Sequence, residues 1–208
     1  MAMVRVYRIP FSTNVERVAL AAAHKGLEVE WVDVDPSDRA EVRRVSGQEL
    51  VPVLEHEGQV LHDSPAILRY LDELQPDPPL WPRDERGRAE ADIFVDWFNH
   101  VWKRPPNMIA TELAKPAPDR ERIGRWSRSM AESLARFEGL LGGRDHLLGD
   151  DFGVVDVTAF PFLKYPVLGL PDGDDELFHR ILVEQLPLEP GYPRLEDWVR
   201  RVDARPRA

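Results

Sequence analysis

The 208-residue chain contains no cysteine. That excludes disulfides, thiolate metal sites and any dithiol redox cycle run by the protein itself. No apolar run reaches membrane-spanning length, and the opening MAMVRVYRIP lacks the long apolar core of a signal peptide, so a cytoplasmic location is expected. There is no dinucleotide-binding glycine pattern, no phosphate-loop lysine motif and no HExxH. The six histidines have no metal-ligand spacing, so no metal is expected. His24 and His100 fall on predicted helices and read as partly exposed structural residues. Positive charge is in deficit, with a formal net charge of -10. A phosphate backbone or an acidic lipid surface would be repelled, so neither nucleic acid nor membrane is an expected partner.

What is present falls into two parts. Val4 to Arg8 reads as a strand. Thr13 to Lys25 follows as a helix, with Val15, Val18, Ala19 and Ala22 at helical spacing and Gly26 as its stop. Val29 to Val34 alternates as a second strand, and Ser37 to Val45 reads as a short polar helix. Val51 to Glu55 and Gln59 to Leu61 form a hairpin across His56-Glu57-Gly58, and a helix runs from Asp63 to Leu74. The order βαβαββα predicts a parallel β1–β2 pair with antiparallel strands added to the same sheet. Composition then shifts at the Pro-rich Gln75 to Arg83. Beyond it helices are expected at Gly87 to Lys103, Glu121 to Leu141, Val154 to Leu163, Asp175 to Gln185 and Arg194 to Val202. Pro105-Pro106 is expected to end or kink the first of these. The predicted organisation is an α/β domain over residues 1–78, a linker over 79–86 and an all-helical bundle over 87–208.

Three stretches of the first part could carry chemistry. In PFSTN, Ser12 is either a helix N-cap or a hydroxyl placed for a substrate. In LVPVL, Pro52 cannot donate to a ladder; it marks an edge, or a cis bond after Val51 that leaves backbone groups for an extended ligand. In HDSPAILRYL, Asp63 and Ser64 precede Pro65 at a helix start. That is either a cap alone or an anion-binding N-terminus with a carboxylate beside it for an ammonium.

Taken together in this order, PFSTNVERVALAAAHKGL, VPVL and DSPAILRYLDE, followed by a Pro-rich segment and helices, resemble the glutathione S-transferase family. DFGVVDVTAFPFL resembles that family's buried capping-box helix, with Gly153 where Ser or Thr is usual, so only the Asp156 half of the reciprocal pair can form. The resemblance implies a thioredoxin-like N-terminal domain (βαβαββα), an all-α C-terminal bundle, and a cytoplasmic homodimer acting in detoxification. It implies glutathione, or a related small thiol, as co-substrate, and a hydrophobic electrophile as second substrate. Ser12 matches the catalytic serine of the serine-type classes, and Asn14 an assisting asparagine. Ser12 and Val15 also fall where glutaredoxin-like relatives place their two cysteines. Val51 and Pro52 match the segment that pairs with the cysteinyl backbone, and Asp63 and Ser64 the pair holding the γ-glutamyl end. SGQEL departs from the family's usual pattern, leaving Gln48 and Arg39 as candidates for the glycyl carboxylate. Phe11, Trp97, Phe98, Val101, Trp102 and Met108 are the apolar candidates for the second-substrate pocket, although an aromatic stripe at helical spacing is more often core. A glutathione-dependent isomerase or dehalogenase, and a non-catalytic thiol-binding or scaffold protein, are the alternatives on the same fold.

Overall fold

The computed structural model describes residues 3–188 and 191–208. It divides into two compact units, Met1–Arg83 with Arg205–Ala208, and Asp84–Ala204.

The first unit is built on four strands, β1 (Val4–Arg8), β2 (Val29–Asp33), β3 (Val53–His56) and β4 (Gln59–His62), in the spatial order β2-β1-β3-β4. β1 pairs parallel with β2 (Val6 opposite Trp31) and antiparallel with β3 (Val6 opposite Leu54), and β3–β4 is the expected hairpin. Side chains alternate across the sheet. Tyr7 and Val53 point to one face, where they pack with Val34 and with Val42 of α2 (Ala40–Ser46). Val6 and Leu54, both wholly buried, point to the other. Helices α1 (Thr13–Lys25) and α3 (Ser64–Leu74) pack against each other.

Two boundaries in this unit differ from the expectation by more than one residue, each for a local backbone reason. The predicted Ser37 helix starts only at Ala40. The Asp35 carboxylate accepts from the Ser37 N–H (2.8 Å) and Oγ–H (2.7 Å), and Asp38 accepts from the Ala40 N–H (2.9 Å). These turns compete with helical bonding. β3 begins at Val53 because Pro52 has no N–H for the ladder. Gly26 ends α1 in the left-handed region (φ 64°), and the Leu27 N–H closes on the Ala22 carbonyl at 2.9 Å.

The Pro-rich stretch is no loose tether. Leu80 and Trp81 are buried, and the Asp72 carboxylate of α3 accepts from the Leu80 N–H at 2.8 Å and from the buried Lys25 ammonium. Lys25 also donates to the Pro78 carbonyl (2.6 Å), and the Arg69 guanidinium lies 4.3 Å over the Trp81 ring. The chain's last residues return to the same unit: Arg207 pairs with Glu16 (3.0 Å), and the Ala208 N–H bonds to the Ala19 carbonyl.

The second unit is helical among its described residues: α4 (Glu85–Trp97), a π-helical turn (Phe98–Trp102), α5 (Arg104–Leu113), α6 (Arg120–Leu140), α7 (Val154–Leu163), α8 (Tyr165–Leu168), α9 (Leu177–Gln185) and α10 (Pro193–Asp203). The single helix expected from Gly87 to Lys103 is thus α4 plus the wider turn. That run ends at Trp102, as Pro105-Pro106 implied, and the two prolines then lie in the first turn of α5, where missing N–H groups cost nothing. Sequence reading missed α5 and α8. α9 starts at Leu177, two residues later than expected. There Asp174 accepts from the Glu176 N–H (3.2 Å) and contacts His179 Nδ1 (2.8 Å). α7 is buried along its whole length. Its Asp156 accepts from the Gly153 N–H (3.0 Å), the Leu147 N–H (3.0 Å) and the Trp198 indole (2.7 Å). Gly153 contributes no side chain, so the Asp156 side of the box stands alone. No described helix is long and apolar enough to cross a membrane.

Candidate active site

Asn14, Arg17 and Ser64 of the first unit meet where the N-termini of α1 and α3 lie close together. Ser12 is the N-cap of α1: its backbone is extended (φ -61°, ψ 114°), and Oγ accepts from the Val15 N–H at a long 3.4 Å. A hydroxyl has one proton and two lone pairs. Capping uses a lone pair, so the Ser12 O–H remains a donor. Asn14 and Arg17 follow on α1. Arg17 is 1% exposed, and its Nη1 donates to Asn14 Oδ1 (3.2 Å) and to Ser64 Oγ (3.1 Å). The Ser64 hydroxyl in turn reaches Asn14 Oδ1 at 3.5 Å. Burial pushes the Arg17 pKa down to about 9, and the Asp63 charge opposes that shift. Arg17 therefore remains a cation at neutral pH.

Asp63 occupies the N-cap position of α3, and its carbonyl accepts from the Ile67 N–H at 3.1 Å. Its side chain makes no capping bond and is exposed. A cap alone therefore does not account for this carboxylate. Asp63 holds φ 73°, and Phe11, just before Ser12, holds φ 60°. Non-glycine residues in this region cost on the order of 1–3 kcal/mol each. Both precede a helix N-terminus that the sequence singled out. The Val51–Pro52 bond is cis, as its motif suggested; Pro52 is buried and Val51 half-buried.

The two candidates for a glycyl carboxylate are occupied locally. Gln48 donates to Ser46 Oγ (2.8 Å) and the Leu50 carbonyl (3.0 Å) and accepts from the Leu50 N–H, closing its own turn. Arg39 Nε donates to the Pro36 carbonyl at 3.0 Å.

The apolar candidates differ in burial. Phe11 is exposed beside Ser12. Phe98 and Trp102 are core residues of the second unit, stacked 4.4 Å apart, with the Trp102 indole bonded to Ser133 Oγ at 2.8 Å. The π-helical turn carries both rings, and both are buried. Val101 is exposed and Met108 half-buried. Trp97 lines a cavity of about 670 Å³ within the second unit, with Ile93, Phe94, Leu140, Leu147 and Leu148. Sequence reasoning missed Arg17, whose signal was a charged residue inside the apolar stretch of α1.

Fold and site together describe a thioredoxin-like unit that presents two helix N-termini, followed by a helical unit. Residues 6–79 match the family described as "Glutathione S-transferase, N-terminal domain", and residues 120–201 match "Glutathione S-transferase, C-terminal domain". Maleylacetoacetate isomerase of Pseudomonas aeruginosa is 30% identical over 168 residues, covering 76% of this chain and 79% of that protein. Glutathione transferase omega-1 of Caenorhabditis elegans is 28% identical over 202 residues, covering 95% and 76% respectively. The structure of a tau class glutathione S-transferase from mango superposes with a TM-score of 0.79 at 21% identity, over 97% of this chain and 89% of that one. The chain belongs to the glutathione S-transferase family.

Proposed function

We propose that the chain is a serine-type glutathione transferase, in which the Ser12 hydroxyl and the N-terminus of α1 hold the thiol of glutathione as a thiolate for attack on a hydrophobic electrophile. The observation that carries this is the geometry at Ser12, a cap that accepts from the backbone and keeps its proton to donate. A free thiol of pKa about 8.5 is mostly protonated at neutral pH, and lowering it by about two units requires roughly 2.7 kcal/mol. A hydroxyl donating to an anion contributes about 1.5–3 kcal/mol, and a helix N-terminus about 0.3–1 kcal/mol. The two suffice without a general base. Asn14 assists at the same turn. Val51 and Pro52 pair with the cysteinyl backbone, and Asp63 with Ser64 takes the γ-glutamyl ammonium and carboxylate.

The test is a titration of far-ultraviolet thiolate absorbance with glutathione bound to wild type and to Ser12→Ala. The bound-thiol pKa should rise by about one to two units in the variant, from the loss of a charge-assisted hydrogen bond. Identical values in both proteins would reduce Ser12 to a cap.

Similarity to maleylacetoacetate isomerase favours one second reading, addition of the thiolate followed by its elimination. Turnover without net consumption of glutathione distinguishes it. We also propose a cytoplasmic homodimer. The apolar cavity beside Ile93, which is 69% exposed, supports burial of that face against a second copy. A monomer mass in light scattering at micromolar concentration would refute the dimer.

A further inference from the structure

We infer that Arg17 is a positioning residue that sets the Ser64 hydroxyl as a donor to the α-carboxylate of the thiol peptide. The inference rests on the proposed reading of α3's N-terminus as the γ-glutamyl site. Arg17 lies on α1, three residues after Asn14, yet its guanidinium reaches across to the first residue of α3. It is 1% exposed, and Ser64 is 2% exposed. Burying a guanidinium is costly unless its surroundings use the charge.

The chemistry of the pair fixes its direction. A guanidinium can only donate, so Ser64 Oγ must accept along the 3.1 Å contact. The hydroxyl proton is thereby turned away from Arg17. Its other polar contact among the described residues, Asn14 Oδ1 at 3.5 Å, is at the limit of a hydrogen bond, and a carboxylate at the α3 N-terminus is a better acceptor. Donation from a cation also polarises the hydroxyl and strengthens the bond it gives. The same Nη1 donates to Asn14 Oδ1, which uses part of that oxygen's acceptor capacity and leaves it a weaker competitor for the Ser64 proton. Asp63 is the complement: its exposed carboxylate faces the ammonium, while Arg17 and Ser64 supply the positive and donating side.

Arg17→Lys keeps the charge but shortens the side chain and withdraws the Nη1 that reaches both acceptors. The readout is affinity for three peptides: glutathione, γ-aminobutyryl-cysteinyl-glycine, which lacks the α-carboxylate, and glutaryl-cysteinyl-glycine, which lacks the ammonium. Wild type should prefer glutathione over both. Arg17→Lys should shrink the preference over the carboxylate-free peptide by about tenfold, the worth of one weakened charge-assisted bond. It should leave the preference over the ammonium-free peptide unchanged. A merely structural role would lower all three affinities together. Ser64→Ala is the second variant. It should shrink the same carboxylate preference, and adding Arg17→Lys to it should cost little more. Unchanged carboxylate preference in either single variant, or fully additive losses, would overturn the role of Arg17. Wild type that binds none of the three peptides would instead overturn the proposed function itself.

Discussion

Asp156 concentrates more of the second unit's architecture in one side chain than its place in a capping motif suggests. The residue is 1% exposed and its two oxygens accept three N–H groups. Oδ2 takes the Gly153 N–H, capping α7; Oδ1 takes the Leu147 N–H of the preceding loop and the indole N–H of Trp198 on α10. Asp156→Ala would leave all three donors without this acceptor. Each unsatisfied buried donor costs about 1–3 kcal/mol, and because neighbouring losses are not additive a total of about 4 kcal/mol is expected. That is a large part of a typical domain's stability of about 5–15 kcal/mol. Asp156→Asn keeps one acceptor oxygen for Leu147 and Trp198 but turns an NH2 toward the Gly153 N–H, donor against donor, for a loss of about 2 kcal/mol. Urea unfolding of the three proteins, followed by tryptophan fluorescence and far-ultraviolet circular dichroism, reads both differences from the midpoints at constant slope. An alanine variant within about 1 kcal/mol of wild type would show that the three bonds carry no net stability, since one lost donor alone should exceed that. An asparagine variant as unstable as alanine would refute the division of donors between the two oxygens.

Two further outcomes follow from other carboxylates. Asp63→Ala should weaken glutathione affinity while leaving turnover at saturating glutathione nearly unchanged, because an exposed carboxylate holding an ammonium binds ground and transition states alike; a fall in kcat at constant Kd would contradict this. Asp119 caps α6 through the Arg122 and Glu121 N–H groups (3.0 Å each), and these bonds, the Arg122 N–H foremost, hold its pKa below the ordinary carboxylate value. Its folded pKa is depressed, so the contribution is complete above the unfolded value and is lost as pH falls through the folded one. Amide exchange at Glu121 and Arg122 should therefore accelerate, relative to residues in the middle of α6, on going from about pH 5 to about pH 3, and protection that stays constant would count against the cap.

The first unit was legible because its local signals agree. Alternation marks β1 and β2, helical spacing marks α1, Gly26 stops it, and Gly58 turns the hairpin; the structure places all of these within a few residues of their expected bounds. Where polar side chains rewrite the backbone locally, the periodicity carried no trace of it. Asp35 and Asp38 delay α2, and the paired prolines at 105 and 106, legible as the end of one helical run, also lie in the first turn of the next. The aromatic residues after Trp97 were visible as a stripe, but an insertion of one backbone register at Phe98–Trp102 decides which rings face inward. A π-helical turn has no pattern of its own in sequence. At the site, Ser12, Asn14, Asp63 and Ser64 were legible as helix-start residues, whereas Arg17 was not. Its partner Ser64 is 47 positions away, and only the packing of α1 on α3 brings the two together.

Two of the three described non-glycine residues at positive φ lie where chemistry is proposed: Phe11 immediately before Ser12, and Asp63 immediately before Ser64; the third, Glu57, turns the β3–β4 hairpin. A fold optimised for stability alone would place Gly or Asn there. Keeping Phe11 retains an apolar surface beside the Ser12 hydroxyl, and keeping Asp63 retains a carboxylate that no capping bond consumes. Arg17 fits the same pattern from below: a buried cation in α1, bonded to polar side chains at both helix starts. Local strain and buried charge each cost stability, and a sequence tolerates them where the rest of the unit is locally consistent. The well-formed strands and the closed α1 supply that consistency. The tethered segment from Asp77 to Trp81, held through Asp72 and Lys25, adds to it by fixing α1 and α3 relative to each other. The spacing between Ser12 and Ser64, on which the proposed binding of a thiol peptide at both ends depends, is therefore set by residues outside the proposed site.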